Sequence, residues 1–233
     1  MTDLIEDIIE GFKLLFSGNR ELWSIIFLSL RVSGTAVLFA SIFALPVGSY
    51  LGLKEFRGKK FVSNLINTFM GFPPVVMGLL LYLLFSRSGP LGSLNLLYTS
   101  MAMILAQLFL AFPILVGTVK AAIESLPLDL KEIIVSFGAN QYQLWFECIK
   151  ESKKSIIAGI LIAFGQSISE VGAVMVVGGD IRWQTRVFTT AIVQNTRIGE
   201  FGMAIALGII LLTISFLINY FLTHLQQKST QSI

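Results

Sequence analysis

The chain has 233 residues, of which 55% are hydrophobic and only 13% are charged. Soluble domains carry about 25% charged residues, and the mean hydropathy of +0.79 indicates that lipid solvates most of the surface. The net charge of +3 comes from scattered residues, which argues against a nucleic-acid surface. The single cysteine cannot form an intrachain disulfide, and no motif predicts a metal site or a cofactor. These features predict an integral membrane protein.

The first 22 residues place apolar side chains at helical spacing with acidic residues between them. This pattern is typical of an amphipathic helix that lies on a membrane surface. It does not fit a signal peptide, because a basic start, a continuous apolar core and a cleavage site are missing. We therefore expect residues 1–22 to form a surface helix in contact with lipid.

Five apolar segments are long enough to cross a hydrocarbon core of about 30 Å, which takes about 20 helical residues. They lie at about residues 24–53, 62–86, 100–122, 155–177 and 201–223. The sequence thus predicts an all-α polytopic protein with five transmembrane helices, a membrane domain at 23–224 and a short tail at 225–233.

The orientation follows from the basic loop KEFRGKK at residues 54–60, because short basic loops stay in the cytoplasm. This choice places residues 123–154 and the C-terminus in the cytoplasm, and the N-terminus outside. We expect the protein to lie in the cell membrane in this orientation.

Within the cytoplasmic loop, LDLKEIIVSFGANQYQLWFECIKES at residues 128–152 is too charged to be buried in lipid. A tight break ending at Asn140 separates two predicted helices. The second helix presents an apolar, aromatic surface that includes Tyr142 and is suited to a groove on another protein. The alternative is a loop that folds onto the lipid headgroups.

Two charged residues, Arg31 and Glu170, lie inside predicted spans, where a central charge costs about 2.5–3.5 kcal/mol on insertion scales. The helical rise places both residues in the outer half of the membrane. One hypothesis is an ion pair that fastens an external gate. The alternative is a purely structural pair or two side chains that reach the interface separately.

Helix breaks are predicted where proline removes a backbone donor inside a span. The strongest is GFPPVVMG, with Pro73 and Pro74, and another is at Pro113. These positions are candidate hinges or plain kinks. Candidate contacts for a passing solute, or alternatively for neighbouring helices, are Gln166, Ser167 and Ser169.

The external segment at residues 178–200 is the other polar interruption. Asp180, Arg182 and Arg186 lie close together in it, and basic side chains there suit an acidic rim on a delivery protein or an incoming anion. The alternative is a solvated loop.

The cytoplasmic loop is similar to the EAA loop of permease subunits of bacterial and archaeal ABC importers. Glu132 is followed by Gly138 and Ala139 and then by Trp145 and Phe146, with isoleucines where that motif has two alanines. Residues 156–181 resemble a segment of the molybdate, tungstate and sulfate permeases. The forms ISEVGAVMVVGG and TRVFTTAIVQNT look most like the tungstate branch.

The resemblance implies a type I ABC importer permease fold and import of an oxyanion, with tungstate first and molybdate or sulfate next. It implies a homodimer, two cytosolic ATPase subunits docked on the EAA loops, and an extracytoplasmic oxyanion-binding protein. The missing P-loop motif G-x-x-x-x-G-K-[ST] agrees, because ATP must then be hydrolysed by a separate chain. We expect no enzyme activity in this chain. An ATP-independent anion channel or carrier is the competing class.

Overall fold

The computed structural model describes the backbone of residues 2–230 and the side chains of residues 5–224. All regular structure in this part of the chain is helical, which confirms the all-α prediction. The helices are α1 (Thr2–Phe16), α2 (Arg20–Leu53), α3 (Lys59–Met70), α4 (Pro74–Phe85), a 3₁₀ turn (Gly92–Leu94), α5 (Ser100–Glu124), α6 (Leu128–Ser136), α7 (Gln141–Glu151), α8 (Lys153–Ile168), α9 (Gly172–Gly178), α10 (Phe188–Ile198) and α11 (Phe201–Thr230).

Three helices are long and apolar enough to cross a membrane alone, namely α2, α5 and the Phe201–His224 part of α11. Two helix pairs reach that length only when taken together. The pair α3 and α4 is bent by 97°, and the pair α8 and α9 is bent by 56°. The structure therefore has helices in all five predicted segments, but the continuous spans expected at 62–86 and 155–177 are each replaced by two shorter helices.

The two helix breaks have different chemical causes. At residues 71–73, Gly71 ends α3, and Pro74 begins α4 at a position where a missing N–H costs nothing. The break at 169–171 contains no proline. There the Glu170 carboxylate accepts hydrogen bonds from the backbone N–H groups of Ala173 (2.8 Å) and Val174 (3.1 Å), and so caps α9.

Helices α2 and α5 pack against each other along much of their length. A Cβ atom on Gly48 would lie 2.7 Å from Cβ of Val119, and one on Gly52 would lie 2.8 Å from Cβ of Ile123. Side chains at these two positions would force the helices apart. The C-terminal halves of α2 and α5 therefore form one tightly packed unit.

The N-terminal helix differs in extent from the surface helix expected at 1–22. It ends at Phe16, and residues 20–22 already belong to α2. One face of α1 packs against α11 around Gly11, while Ile9 and Phe12 lie on an exposed apolar face. At the other end, α11 continues to Thr230, so most of the predicted tail at 225–233 is helical; residues 231–233 lie outside the described residues.

Candidate functional site

The predicted cytoplasmic loop is a helical hairpin formed by α6 and α7. Gly138 has a φ of +82°, a left-handed conformation that glycine adopts without steric cost, and it forms the turn. Asn140 then starts α7 with a capping box: its side chain accepts from the Gln143 N–H (2.9 Å), and its own N–H donates to the Gln143 side chain (2.8 Å). Local sequence signals alone therefore define this turn.

One face of α7 is anchored to the membrane helices. The indole Nε1–H of Trp145 donates to Oγ of Ser49 in α2, and Nζ of Lys54 donates to Oε1 of Gln141 (2.8 Å). Cys148 is fully buried against the C-terminal end of α5, and this burial raises the pKa of its thiol. Helix α7 is therefore attached to both α2 and α5.

The opposite face of the hairpin is an exposed apolar surface. Phe137 is 87% exposed and Tyr142 is 73% exposed. We call the following exposed residues the docking face: Leu128, Ile133, Val135, Phe137, Tyr142 and Phe146. No residue of α6 is buried, so α6 contributes little to the packing of the chain itself.

The predicted loop residues are thus divided between two faces. Glu132, Tyr142 and Phe146 are exposed, whereas Trp145 turns towards α2 and is half-buried. Ala139 is half-buried beside the turn. Phe137 was not predicted as part of this surface, although an apolar side chain directly before the turn glycine was a usable signal for it.

A cavity of about 380 Å³ lies where the two helix breaks meet. Residues from both breaks and from α5 line it: Phe69, Met70, Phe72, Pro74, Val75, Gln107, Leu110, Ala111, Ile114, Gln166, Ser167, Ser169, Glu170, Val171 and Gly172. Of the predicted pathway residues, Pro74, Gln166, Ser167 and Ser169 are at this cavity. Pro73 precedes it as the cap residue of α4, and Pro113 is buried within α5 away from the cavity lining.

Gln107 is a buried polar residue of the cavity wall. Its Nε2 donates to the backbone carbonyl of Ser167 at 2.8 Å. Its Oε1 is buried and has no hydrogen-bond partner among the residues whose side chains the structure describes. A buried acceptor without a donor is costly, so this wall lowers the free energy of unfolding.

The ion pair expected between Arg31 and Glu170 is not formed in the described part of the chain. Arg31 is exposed on the outer face of α2, and no ion pair joins the two residues. Glu170 instead uses its carboxylate to cap α9, and its backbone carbonyl accepts from Thr189 Oγ1 at 2.7 Å. The break at 169–171, which was not anticipated, provides the N–H groups that hold the carboxylate.

The predicted external residues form an ion-pair network with the start of α2. Arg182 Nε donates to Glu21 Oε1 at 2.9 Å, and Arg186 lies 3.4 Å from Glu21 and 3.3 Å from Asp180. Hydrogen bonding to Glu21 and the negative charge of Glu21 raise the pKa of Arg182. Asp180, Arg182 and Arg186 thus belong to one network, which also contains Glu21, a residue that lies about 160 positions earlier and was not indicated by the sequence.

Comparison with known proteins agrees with this geometry. The family model described as "Binding-protein-dependent transport system inner membrane component" matches residues 44–231. A tungstate uptake system permease protein of Peptoclostridium acidaminophilum is 40% identical, over 96% of this chain and 100% of the relative. The corresponding protein of Campylobacter jejuni is 38% identical, over 94% and 93%. The molybdenum transport system permease protein of Escherichia coli K12 is 28% identical, over 88% and 95%.

Solved structures share the fold at lower identity. The chain matches a bacterial alginate ABC transporter in complex with a pentasaccharide-bound periplasmic protein with a TM-score of 0.73 and 19% identity, covering 99% of this chain and 89% of that one. It matches the inward-facing methionine transporter MetNI with a TM-score of 0.70 and 18% identity, covering 88% and 96%. The fold is therefore that of an ABC importer permease.

Proposed function

Because the chain belongs to the family of binding-protein-dependent transport system inner membrane components, we propose that it is the permease subunit of an ATP-driven tungstate importer. The observation that carries the proposal is the 40% identity to a tungstate permease along its whole length. Identity to the molybdenum and sulfate permeases of Escherichia coli is only 28% and 27%. Tungstate is therefore the first cargo to test, and molybdate the second.

The hairpin of α6 and α7 is the part of the chain suited to a separate ATPase. Its docking face exposes apolar and aromatic side chains to solvent, while α7 is tied to α2 and α5 on its other side. A surface of this kind fits the helix-in-groove mode of recognition. We assign it to a cytosolic ATPase, one on each chain of a homodimer.

The external ion-pair network is the part suited to a delivery protein. Arg182 is 59% exposed even though it binds Glu21, so its guanidinium can also meet an acidic rim. With the hairpin in the cytoplasm, the network and the N-terminus face outwards, and an extracytoplasmic oxyanion-binding protein would dock there. The cavity between the helix breaks is the proposed place of passage.

The competing class, a channel or carrier that works without ATP, accounts for the helix breaks but not for the docking face. Exposed contiguous apolar surface on a solvated hairpin is costly unless a partner covers it. The 97° and 56° bends suit hinged half-helices in either class. The docking face therefore favours the ATP-driven transporter.

The proposal is tested by uptake of labelled tungstate into vesicles that contain this chain, its ATPase and its binding protein. Uptake should require ATP and should be reduced more by unlabelled molybdate than by sulfate. In a Gly138→Arg variant, insertion should be normal and ATP-dependent uptake should be lost. ATP-independent uptake that survives this change would instead support the channel or carrier.

A further inference from the structure

The hydrogen bonds by which Glu170 caps α9 do not offset the cost of burying its charge. The residue is only 9% exposed and is the only charged side chain among the described residues that line the cavity. No cation lies within ion-pair distance of it in the part of the chain that the structure covers with side chains. An unpaired charge at membrane depth is costly. A role for the charge itself would explain why it is there.

The helix cap accounts for the position of the carboxylate but not for its charge. A helix N-terminus carries only about half of a positive elementary charge, so it cannot neutralise a full carboxylate charge. A neutral serine or asparagine caps a helix about as well as an acid does. These residues would satisfy the start of α9 without burying a charge.

The cavity wall beside Glu170 also presents an electronegative oxygen. Gln107 is 3% exposed, one N–H of its amide donates to the Ser167 carbonyl, and its Oε1 is an acceptor with no partner among the described residues. The buried wall therefore offers oxygen acceptors and a negative charge, both of which repel an anion. Donors from Gln166 and Ser169 lie at the exposed margin of the cavity.

We propose that Glu170 is an electrostatic barrier that keeps oxyanions out of the cavity while the ATPase is idle. This inference rests on the proposed function in one respect, namely that the cavity lies on the cargo path. An importer that accumulates an anion must prevent the same anion from running back. An acceptor-lined cavity achieves this without a tightly closed gate.

The Glu170 carboxylate must move during turnover. The packing of α4 and α9 indicates that these two half-helices move together with it. A Cβ atom on Gly172 would lie 2.5 Å from Val75 Cγ2, and one on Gly78 would lie 2.8 Å from Ala173 Cα. The two half-helices are thus in close contact and carry Glu170 as one body. Rotation of this body takes the carboxylate away from the path.

The test uses vesicles that contain the complete transporter, loaded with labelled tungstate or sulfate and kept without ATP. We expect Glu170→Gln to release both anions at least about tenfold faster than the wild type, since a tenfold change in rate requires only about 1.4 kcal/mol. Release of the neutral polyol erythritol should not change. With ATP, the amount of tungstate accumulated at steady state should fall.

Three further variants separate charge from structure. Glu170→Asp keeps the charge but shortens the cap, and its anion leak should stay near the wild-type level. Ser169→Lys adds a positive charge at the exposed margin and should raise the anion leak, whereas Ser169→Ala should not. The two Ser169 variants still test the proposal if Glu170→Gln does not fold.

The barrier is refuted if the anion leak is unchanged in Glu170→Gln and Ser169→Lys, if erythritol leaks equally, or if Glu170→Asp leaks as much as Glu170→Gln. The proposed function is judged separately, by ATP-dependent uptake of tungstate into wild-type vesicles. A charge-dependent sulfate leak without ATP-driven uptake would retain the barrier and refute the importer.

Discussion

Trp145 in the hairpin of α6 and α7 donates a hydrogen bond to Ser49, which lies one turn after Pro46 in α2. The Ser49 hydroxyl in turn donates to the carbonyl of Leu45. Pro46 cannot donate a backbone hydrogen bond inside the helix, which weakens this turn. The hairpin is therefore attached to α2 where the helix bends most easily.

Loss of this contact should separate ATP hydrolysis from transport. We expect Trp145→Phe and Ser49→Ala each to raise the amount of ATP hydrolysed per tungstate imported, while the ATPase still binds. One hydrogen bond contributes about 0.5–1.5 kcal/mol. The double variant should do no more than either single variant, because both remove the same contact.

The control for this cycle is Trp23→Phe, which changes an exposed tryptophan near the start of α2. Its ratio of ATP to tungstate should equal that of the wild type. Additive effects of Trp145→Phe and Ser49→Ala would show that the two side chains act independently.

The docking face should contain the strongest contacts with the ATPase at its two most exposed aromatic residues. Phe137→Ala and Tyr142→Ala should each weaken ATPase binding by roughly 30-fold, since a central aromatic contact contributes about 2 kcal/mol or more. Titration of the purified ATPase onto the permease in lipid nanodiscs measures this change. Phe16→Ala, which removes an equally exposed aromatic ring from α1, should have no effect.

The turn of the hairpin should depend on glycine for backbone reasons alone. A Cβ atom at Gly138 would meet no other atom within 4 Å, so only its φ of +82° opposes a side chain. Gly138→Ala should therefore destabilise the turn by about 1–2 kcal/mol and reduce ATPase affinity. Gly138→Asn should be milder, because asparagine tolerates this conformation better.

Gly34→Ala is the matched control, because Gly34 has the same open surroundings but ordinary helical geometry in α2. It should leave ATPase affinity unchanged. Equal loss in Gly138→Ala and Gly138→Asn, with no loss in Gly34→Ala, would indicate a contact of the side chain with the ATPase rather than backbone strain.

On the external side, Glu21 competes with any acidic partner of Arg182. Glu21→Gln removes the charge that this arginine now binds, so affinity for the binding protein should rise several-fold at low salt and less at high salt. Arg182→Gln should lower that affinity, and Arg87→Gln, another exposed basic residue, should not. Surface plasmon resonance with immobilised permease compares the three variants. A lower affinity in Glu21→Gln would mean that the network itself forms the binding surface.

The parts of the fold that depend on local composition were predictable from sequence. The apolar segments located the helices, and Gly138 with Asn140 located the hairpin turn, because these signals act within a few residues. The break at Pro73 and Pro74 followed from the missing backbone donor. The break at Glu170 did not, because it depends on one side chain folding back onto backbone groups three and four residues later.

Contacts between distant segments could not be predicted from a single sequence. The inward orientation of Trp145 depends on Ser49, which is 96 residues away. The expected pair of Arg31 and Glu170 was based on membrane depth alone, and depth does not specify which face of a helix a side chain occupies. Tertiary packing determines the orientation of Trp145 and of Arg31. Residue spacing within one helix does not show how that helix packs against the others.

The helix breaks also change the membrane that a cargo ion encounters. A full hydrocarbon core is about 30 Å thick, but at residues 71–73 and 169–171 the polar backbone turns out of helical geometry, which is tolerated only where protein or water surrounds it. Both breaks contribute residues to one cavity of about 380 Å³. A movement of either half-helix therefore changes the surface that an ion would meet there.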